Sequence, residues 1–472
     1  MFNTPAEALK YVKDHDIDMV DLKVAGIAGQ WLHITIPARQ FTAEHFEEGV
    51  GYDGSSGAGY GKVESGDVVA RPEPESAFVD PFFEHPTLSF FCETLVADTK
   101  EPMKNDPRTI ARRAVEYMRS TGFADEAWMA PEFEFHIFDS VDIVNEPYSV
   151  SVDIHSSETH TDGMTPAINT KAGYLRMPPA DNLHDLRTEA CLILEKLGVP
   201  VRYHHHEVGA PGQCEIEVDL QPLLTAADQA MLVKYVIKNV AQQHGKLATF
   251  MPKVVYGEAG NGMHVHQKLT KDGKFIFFDD ARKNYANLSD LALQYVAGLL
   301  INGRALTGIT NPSTNSFKRL IEGYEAPVNL FFSLANRSAA IRVPRYAVTP
   351  EAKRIEYRPP DMTGNIYLIL ASMLMAGLDG IQRKLDPAKH DLGPYDVDIS
   401  KQSAEYRAKI TPLPRSLYAA LDSLKKDHAF LTKGEVFSES FIEGWIEGKK
   451  LNDASAVASR PHPFEFELYL DV

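Results

Sequence analysis

Hydrophobic and polar residues alternate strictly through "APEFEFHIFD" (130–139), where Glu132, Glu134 and His136 take every second position and Phe133, Phe135 and Ile137 fill the places between. Side chains alternate across a strand, so the stretch predicts a β-strand with one greasy face and one ionisable face. The pattern recurs. "GQCEIEVDL" sets Glu215, Glu217 and Asp219 opposite Ile216, Val218 and Leu220, "GMHVHQ" puts His264 and His266 on one side, and "RIEYRP" does the same with Arg354, Glu356 and Arg358. A hairpin is predicted nearer the start, where Val20, Leu22 and Val24, then Leu32, Ile34 and Ile36, alternate on either side of Gly26 and Gly29.

Helical signals frame these strands. In "TPAEALKYVKDHD" Thr4 is placed to cap, Pro5 to fill the first turn and Glu7 to complete a capping box. After the polar, Pro-containing "ADTKEPMKND", Asp106 and Pro107 open a second helix. Helical runs at 181–197, 226–244, 288–306 and 365–382 then alternate with strand-like runs near 130–138, 213–219, 262–269, 340–343 and 354–358. The expectation is an α+β chain with a small N-terminal domain over 1–104 and one large domain over 105–472. Segments 51–66, 140–173 and 387–412 read as loops, and no internal repeat or low-complexity tract is present.

Composition narrows the class. With 472 residues, 44% of them hydrophobic, the chain can fill a large core, and its formal charge of −17 disfavours general binding to nucleic acid or anionic membrane. Cys92, Cys191 and Cys214 are odd in number and widely spaced, which suits a reducing cytoplasm rather than a disulfide framework. No basic run followed by an apolar core opens the chain, so no signal peptide is expected. "NIYLILASMLMAGLDGI" is too short and too interrupted to span a bilayer.

Any one ionisable row could be a solvated sheet face, because antiparallel sheets often leave one face wet. Repeated Glu with isolated His is a different pattern from the mixed Lys, Thr, Ser and Glu of such faces. If the strands are neighbours, the carboxylates repel one another, and bound cations are the simplest remedy. Oxygen-rich sets with at most one imidazole favour Mg²⁺ or Mn²⁺ over zinc. "HHHEV" adds Glu207 beside three histidines, which read equally well as a surface tract. "GVGYDG" fits GxGxxG only formally, since no helix follows it, and "GAGYGKV" misses the P-loop spacing. Arg319, Arg337, Arg342, Arg354 and Arg358 remain as phosphate or carboxylate partners, because guanidinium pairs bidentately with both.

The order of motifs is more specific than any of them alone. "DGSS", "PEFEF", "HHHEV…GQCE", "GMHVH", "NPSTNSFKR", "GYEAPVN", "NRSAAIR", "RIEYRPPD" and "RPHPFEFELY" in series resemble the bacterial type I glutamine synthetases over nearly the whole length. The resemblance implies an N-terminal β-grasp-like domain and a large catalytic domain whose curved antiparallel sheet forms a metal-lined funnel. It also implies a dodecamer of two hexameric rings with active sites shared between neighbouring subunits. The reaction implied is ligation of ammonium to L-glutamate with ATP as cosubstrate, through a γ-glutamyl phosphate, with two or more Mg²⁺ or Mn²⁺ ions.

Carried over residue by residue, Glu134, Glu207 and Glu215 are expected to hold one metal, and Glu132, His264 and Glu356 the other. Arg342, Arg354 and His266 are expected on the nucleotide phosphates, with Arg342 and Arg358 neutralising the transferred phosphoryl group. Arg319, Arg337 and the backbone at Gly260 are expected to hold glutamate. Asp53 and Ser56 of the adjacent subunit, with Tyr174, Glu207 and Glu325, are expected to bind and deprotonate ammonium, Glu325 lying in a flap-like "EGYEAP". Ala259, Lys268, Leu220 and Glu351 depart from the best-known pattern around glutamate and nucleotide, and Tyr395 aligns with a tyrosine that some relatives adenylylate. The alternatives are a glutamate ligase for larger amines, such as a γ-glutamyl-polyamine synthetase, and a non-catalytic assembly of the same fold.

Overall fold

The computed structural model describes residues 2–55, 66–161 and 164–472. Its first sheet contains β1 (Met19–Ala25), β2 (Trp31–Pro37), β3 (Val50–Asp53), β4 (Asp67–Pro72), β5 (Phe78–Val79) and β6 (Thr87–Val96), in the order β2-β1-β6-β4-β3 with β5 on β6. β1 and β6 run parallel, and β1 and β2 are the hairpin read from the alternation around Gly26 and Gly29. The helix Pro5–Asp14 buries Ala8 and Val12 in a core shared with Val20, Leu22 and Phe90. Thr4 caps it, its hydroxyl accepting from the Glu7 N–H at 3.3 Å. The Glu7 carboxylate accepts from the Asn3 N–H instead of that of Thr4, so the expected capping box is displaced by one residue.

The second sheet is larger. β7 (Glu126–Phe138) is followed by a separate hairpin, β8 (Ser140–Glu146) with β9 (Ser149–His155). Then β10 (Val201–His206), β11 (Gln213–Val218), β12 (Gln221–Pro222), β13 (Leu247–Thr249), β14 (Val265–Lys271), β15 (Lys274–Phe275), β16 (Asn329–Leu334), β17 (Ala339–Val343) and β18 (Ile355–Tyr357) join β7 in a ten-stranded sheet. Its spine runs β10-β11-β7-β14-β18-β17-β16, antiparallel except for the edge pair β16–β17.

The greasy face of β7 explains why this sheet is central. Phe133, Phe135 and Ile137 are at most 1% exposed and share a core with Val233, Val236, Ile237 and Val240 of the helix Leu223–Gln243. The apolar run near 365–382 is the helix Ile366–Gln382, buried at every position from Ile366 to Ile381, so its hydrophobicity serves a protein core. It crosses the helix Asp290–Ile301 closely, since a Cβ on Gly298 would meet the Gly380 nitrogen at 2.7 Å. Asn365 caps it by accepting from the Tyr367 and Leu368 N–H groups, and donates to the Gly26 carbonyl at 2.9 Å, tying the first hairpin turn to the core. Among the described residues no helix is long and apolar enough to cross a membrane.

Three expectations need correction. Segment 140–173 is not all loop: its first part is the β8–β9 hairpin, whose Ile143, Val150 and Val152 are exposed. The helical run 288–306 breaks at Asn302 into Asp290–Ile301 and Gly303–Thr310. The histidine run is strand β10, with His206 fully buried. Phe135→Ala is expected to destabilise the fold by about 3–5 kcal/mol through cavity formation, read as a lowered urea midpoint in a denaturation curve.

Candidate functional site

Strand register assembles the acids. Glu215 of β11 is paired with Glu134 of β7 on one side and His205 of β10 on the other. Two residues along, Glu217 is flanked by Glu132 and Tyr203. Across the other edge of β7, His266 of β14 faces Glu356 of β18, which faces Arg342 of β17. The four ionisable rows therefore lie on adjoining strands of one curled sheet face, and the solvated-surface reading fails on burial: Glu132, Glu134, Glu215, Glu217, His264, His266 and Glu356 are all buried.

Three groups of ligand atoms lie within 4.8 Å of one another: Glu132 with His266 and Glu356, His205 with Glu207 and Glu215, and Glu132 with Glu215 and Glu217. His264 joins the first, its Nδ1 lying 2.7 Å from Glu132 and 3.7 Å from Glu356. Glu134 stands between the groups, accepting from the Gly262 N–H at 2.6 Å. The donors are mainly carboxylate oxygens with some imidazole, a set that fits a hard divalent cation.

Positive groups stand beside them. Glu356 takes Arg342 Nε at 2.5 Å on one oxygen and Arg358 Nη1 at 2.6 Å on the other. Arg354 Nε lies 3.3 Å from His266 Nδ1, and its Nη2 donates to the Tyr346 hydroxyl at 3.3 Å. Arg319 is buried and donates from Nη1 and Nη2 to the carbonyls of Pro359, Pro360 and Arg358.

Burial and crowding set the protonation. Burial, then the neighbouring Glu207 carboxylate, push Glu134 up to about 7 despite the Arg319 charge and the Gly262 N–H. Glu215 is raised well above the usual range by burial and by Glu132, Glu207 and Glu134, and Glu217 is raised by burial and by Glu132. Burial also acts on Glu132, but hydrogen bonds from His264 and His266 outweigh it and hold that carboxyl well below the ordinary range. Against burial and Glu132, the charges of Arg358, His266 and Arg342 keep Glu356 low. His264 falls to about 4 through burial and the Arg358 charge.

A cavity of about 210 Å³ opens over this face, and its wall includes Glu132, Glu134, Tyr174, Glu207, Glu215, Gly260, His264, Arg319, Glu325, Arg337, Arg342 and Arg358. His266, Arg354 and Glu356 stand behind that wall, bonded to its Glu132, Tyr346 and Arg342 in turn. Asp53 lies elsewhere, exposed at the end of edge strand β3, where it accepts from Ser55, and Ser56 lies outside the described residues. Ala259 lines the cavity. Lys268 sits 3.5 Å from the centre of the Phe275 ring and donates to the Glu351 carbonyl at 2.6 Å, so two of the departing positions are in contact. Tyr395 packs on Phe331 and Tyr406. Glu217, His205, Tyr203 and Tyr324 also line the cavity and were absent from the predicted site. The unbroken alternation of "CEIEV" carries the signal for Glu217; the run "YHHH" carries none that singles out His205.

The sheet face thus combines clustered carboxylates, which could hold a cation, with arginines along the cavity wall, which could pair with an anion. The family model for the glutamine synthetase catalytic domain matches residues 104–469, and that for the glutamine synthetase β-grasp domain matches 16–96. A glutamine synthetase of Nostoc sp. is 45% identical over 99% of this chain and 100% of its own length. Among solved structures, Plasmodium falciparum glutamine synthetase superposes with a TM-score of 0.90 at 26% identity, covering 99% of both chains. A GmaS/ADP complex gives a TM-score of 0.81 at 25% identity, covering 98% of this chain and 99% of that one. The chain belongs to the glutamine synthetase family, whose members are ATP-dependent.

Because Glu134, Glu215 and Glu217 bind protons more tightly in the folded chain than unfolded, the cation-free protein loses stability as pH rises from the ordinary carboxylate range through about 7. A divalent cation bound by these carboxylates would replace those protons. Thermal scans with and without Mn²⁺ are expected to show a larger stabilisation at pH 8 than at pH 6, of about 2.7 kcal/mol at a hundredfold excess over Kd, abolished by EDTA.

Proposed function

We propose that the chain ligates ammonia to the γ-carboxylate of L-glutamate, giving L-glutamine, ADP and phosphate through a γ-glutamyl phosphate. The observation that supports this most directly is one cavity lined by the acid clusters, Arg319, Arg337, Arg342 and Arg358 together. A carboxylate is a poor electrophile, and phosphorylation supplies the leaving group that ammonia then displaces. Two Mg²⁺ or Mn²⁺ ions, one with Glu134, Glu207 and Glu215 and one with Glu132, His264 and Glu356, would supply positive charge against the phosphoryl oxygens.

The remaining work falls to side chains. Arg342, Arg354 and His266 hold the nucleotide phosphates, and Arg342 and Arg358 face the transferred group. Arg319, Arg337 and the Gly260 backbone hold glutamate. Tyr174, Glu207 and Glu325, completed by Asp53 and Ser56 of a neighbouring copy, bind ammonium and take its proton. Glu325 adopts a positive φ of 58° in a turn at the cavity wall, a position suited to a segment that closes over the intermediate and excludes water. The same reading divides the chain near residue 104, assembles it as a dodecamer of two hexameric rings and puts it in the cytoplasm. Exposed Phe464, Phe466 and Leu468 on the terminal helix Pro463–Tyr469, with the apolar β8–β9 hairpin, support assembly.

Glu325, with Asp53 of a neighbouring copy, favours ammonium over larger amines in this reading, and relatives at 43–45% identity are glutamine synthetases. Purified protein with ATP, Mg²⁺ and glutamate is expected to release phosphate on addition of ammonium. A response confined to polyamines would overturn the reading in favour of an amine ligase. Glu325→Ala is expected to lower ammonium-dependent turnover by about 10²-fold or more through loss of the proton acceptor, while ADP binding measured by calorimetry persists.

A further inference from the structure

A chain of ion pairs and hydrogen bonds runs unbroken from the first sheet into the large domain. Arg71 of β4 donates to Glu93 of β6 at 2.5 Å, and Arg112 of the helix Pro107–Thr121 bridges Glu93 and Glu73. One turn earlier on that helix, Arg108 pairs with Glu73 at 2.6 Å and forks onto Asp228 at 2.9 and 2.8 Å. Asp228, on the helix Leu223–Gln243, also accepts from the hydroxyl of Tyr367 on the helix Ile366–Gln382 at 2.7 Å. Arg108 and Glu93 are buried. Burial of Glu73 is overcome by the Arg108 and Arg112 charges, which hold its carboxyl below the ordinary range.

Such a chain adds geometry more than stability. Taking ions out of water is costly, and apolar side chains of similar volume often hold a fold equally well. The geometry at stake is the angle of the first sheet on the large domain. In the strand order β2-β1-β6-β4-β3, Asn365 holds the turn between β1 and β2, and the Tyr235 hydroxyl holds Asp80, which pairs with Lys23 of β1. Both ties reach the β1 half of the sheet. Arg112 and Arg108 instead grip Glu93 of β6 and Glu73, the residue after β4, in the half that leads to β3. Two grips fix an orientation where one leaves a pivot. Among the described residues β3 joins the sheet through β4 alone, with Asp53 opposite Asp67 at the end of that pairing.

We propose that Arg112, through Glu93 and Glu73, is a positioning residue for Asp53: it sets the tilt at which one copy presents that carboxylate to the ammonium pocket of its neighbour. The inference rests on the ligase reading above, in which Asp53 serves the adjacent copy. Removing Arg112 still leaves each acid one arginine, Glu93 with Arg71 and Glu73 with Arg108. The charges therefore stay paired while the second grip is lost.

Steady-state kinetics of the full-length Arg112→Met protein test this. Its KM for ammonium is expected to rise about tenfold or more, since a misplacement of about 1 Å can cost about 10²-fold. The KM values for glutamate and ATP, which bind within one copy's own cavity, are expected to stay unchanged. Arg112→Lys keeps the charge but cannot fork onto two acids, and it decides in place of the Met variant should that one not fold. Co-expression with Glu325→Ala copies gives a readout that a fault confined to the variant's own fold would not move. Arg112→Met copies keep an intact cavity and Glu325→Ala copies present a correctly placed Asp53, so mixed assemblies are expected to contain sites with the parental ammonium KM. An ammonium KM within about threefold of the parent's, or one that rises in step with those for glutamate and ATP, overturns the proposal, as do mixed assemblies showing only the raised value. Absence of ammonium-dependent phosphate release in the unsubstituted protein instead fails the ligase reading, and this positioning role falls with it.

Discussion

Burying several carboxylates within 4.8 Å of one another is the constraint on which the rest of the structure depends. An isolated ionised carboxylate in a protein interior is strongly unfavourable, so each must be paired, protonated or bound to a cation. All three remedies are visible. Glu356 is held between Arg342 and Arg358, Glu132 between His264 and His266, while Glu134, Glu215 and Glu217 keep their protons to higher pH. The last remedy is the weakest, since it fails as pH rises. It falls on Glu134 and Glu215, which form no arginine ion pair among those described, and on Glu217, where burial and Glu132 outweigh the Arg202 pair at 3.1 Å. The acids left to protonate are thus the ones a dication would relieve most.

A rigid scaffold is what keeps such a cluster from relaxing apart. Each acid on β7 alternates with an aromatic or branched side chain locked in the core, so a Glu cannot swing out without moving Phe133 or Phe135. The core behind them includes the fully buried helix Ile366–Gln382, whose close crossing at Gly298 and Gly380 leaves no slack. Hydrophobic burial on one face of the strand therefore sustains electrostatic frustration on the other. This ordering of forces is common at sites where function opposes stability.

Much of this is legible in the sequence, because period-two alternation is a direct record of which face is buried. The strands bearing Glu132, Glu215, His266 and Glu356 were all predicted from it, as was the cap at Asp106. What alternation cannot supply is which strands adjoin. Glu217 was seen on the ionisable face of β11, yet only the register with Glu132 and Tyr203 brings it into the cavity. The hairpin at 140–155 reads as loop although Val150, Val152 and Ile154 alternate there with Ser151, Asp153 and His155, and the structure leaves most of both its faces exposed. Asn302 interrupts a run that is helical on both sides, with no Gly–Pro signal before it. Motif order, by contrast, carried the family assignment across nearly the whole chain, as the two domain matches bear out.

One feature of the charge distribution argues that a single copy is an incomplete machine. The cavity has acids at its floor and cations along its wall, but Asp53 lies on the far edge of the other sheet, exposed and bonded only locally in the interactions described for it. A hinge large enough to bring it toward β7 would tear the tie from Asn365 to the Gly26 carbonyl and the Arg108–Glu73 ion pair, both of which join the first sheet's segment to the helices of the large domain. The Asn365 hydrogen bond sits at the N-terminus of the most deeply buried helix, so it is among the contacts least free to open. If Asp53 serves an ammonium pocket, it must therefore serve that of another copy. The exposed apolar residues of the terminal helix and the β8–β9 hairpin are the surfaces a ring of copies would cover, so under the proposed reading the chemistry would depend on assembly.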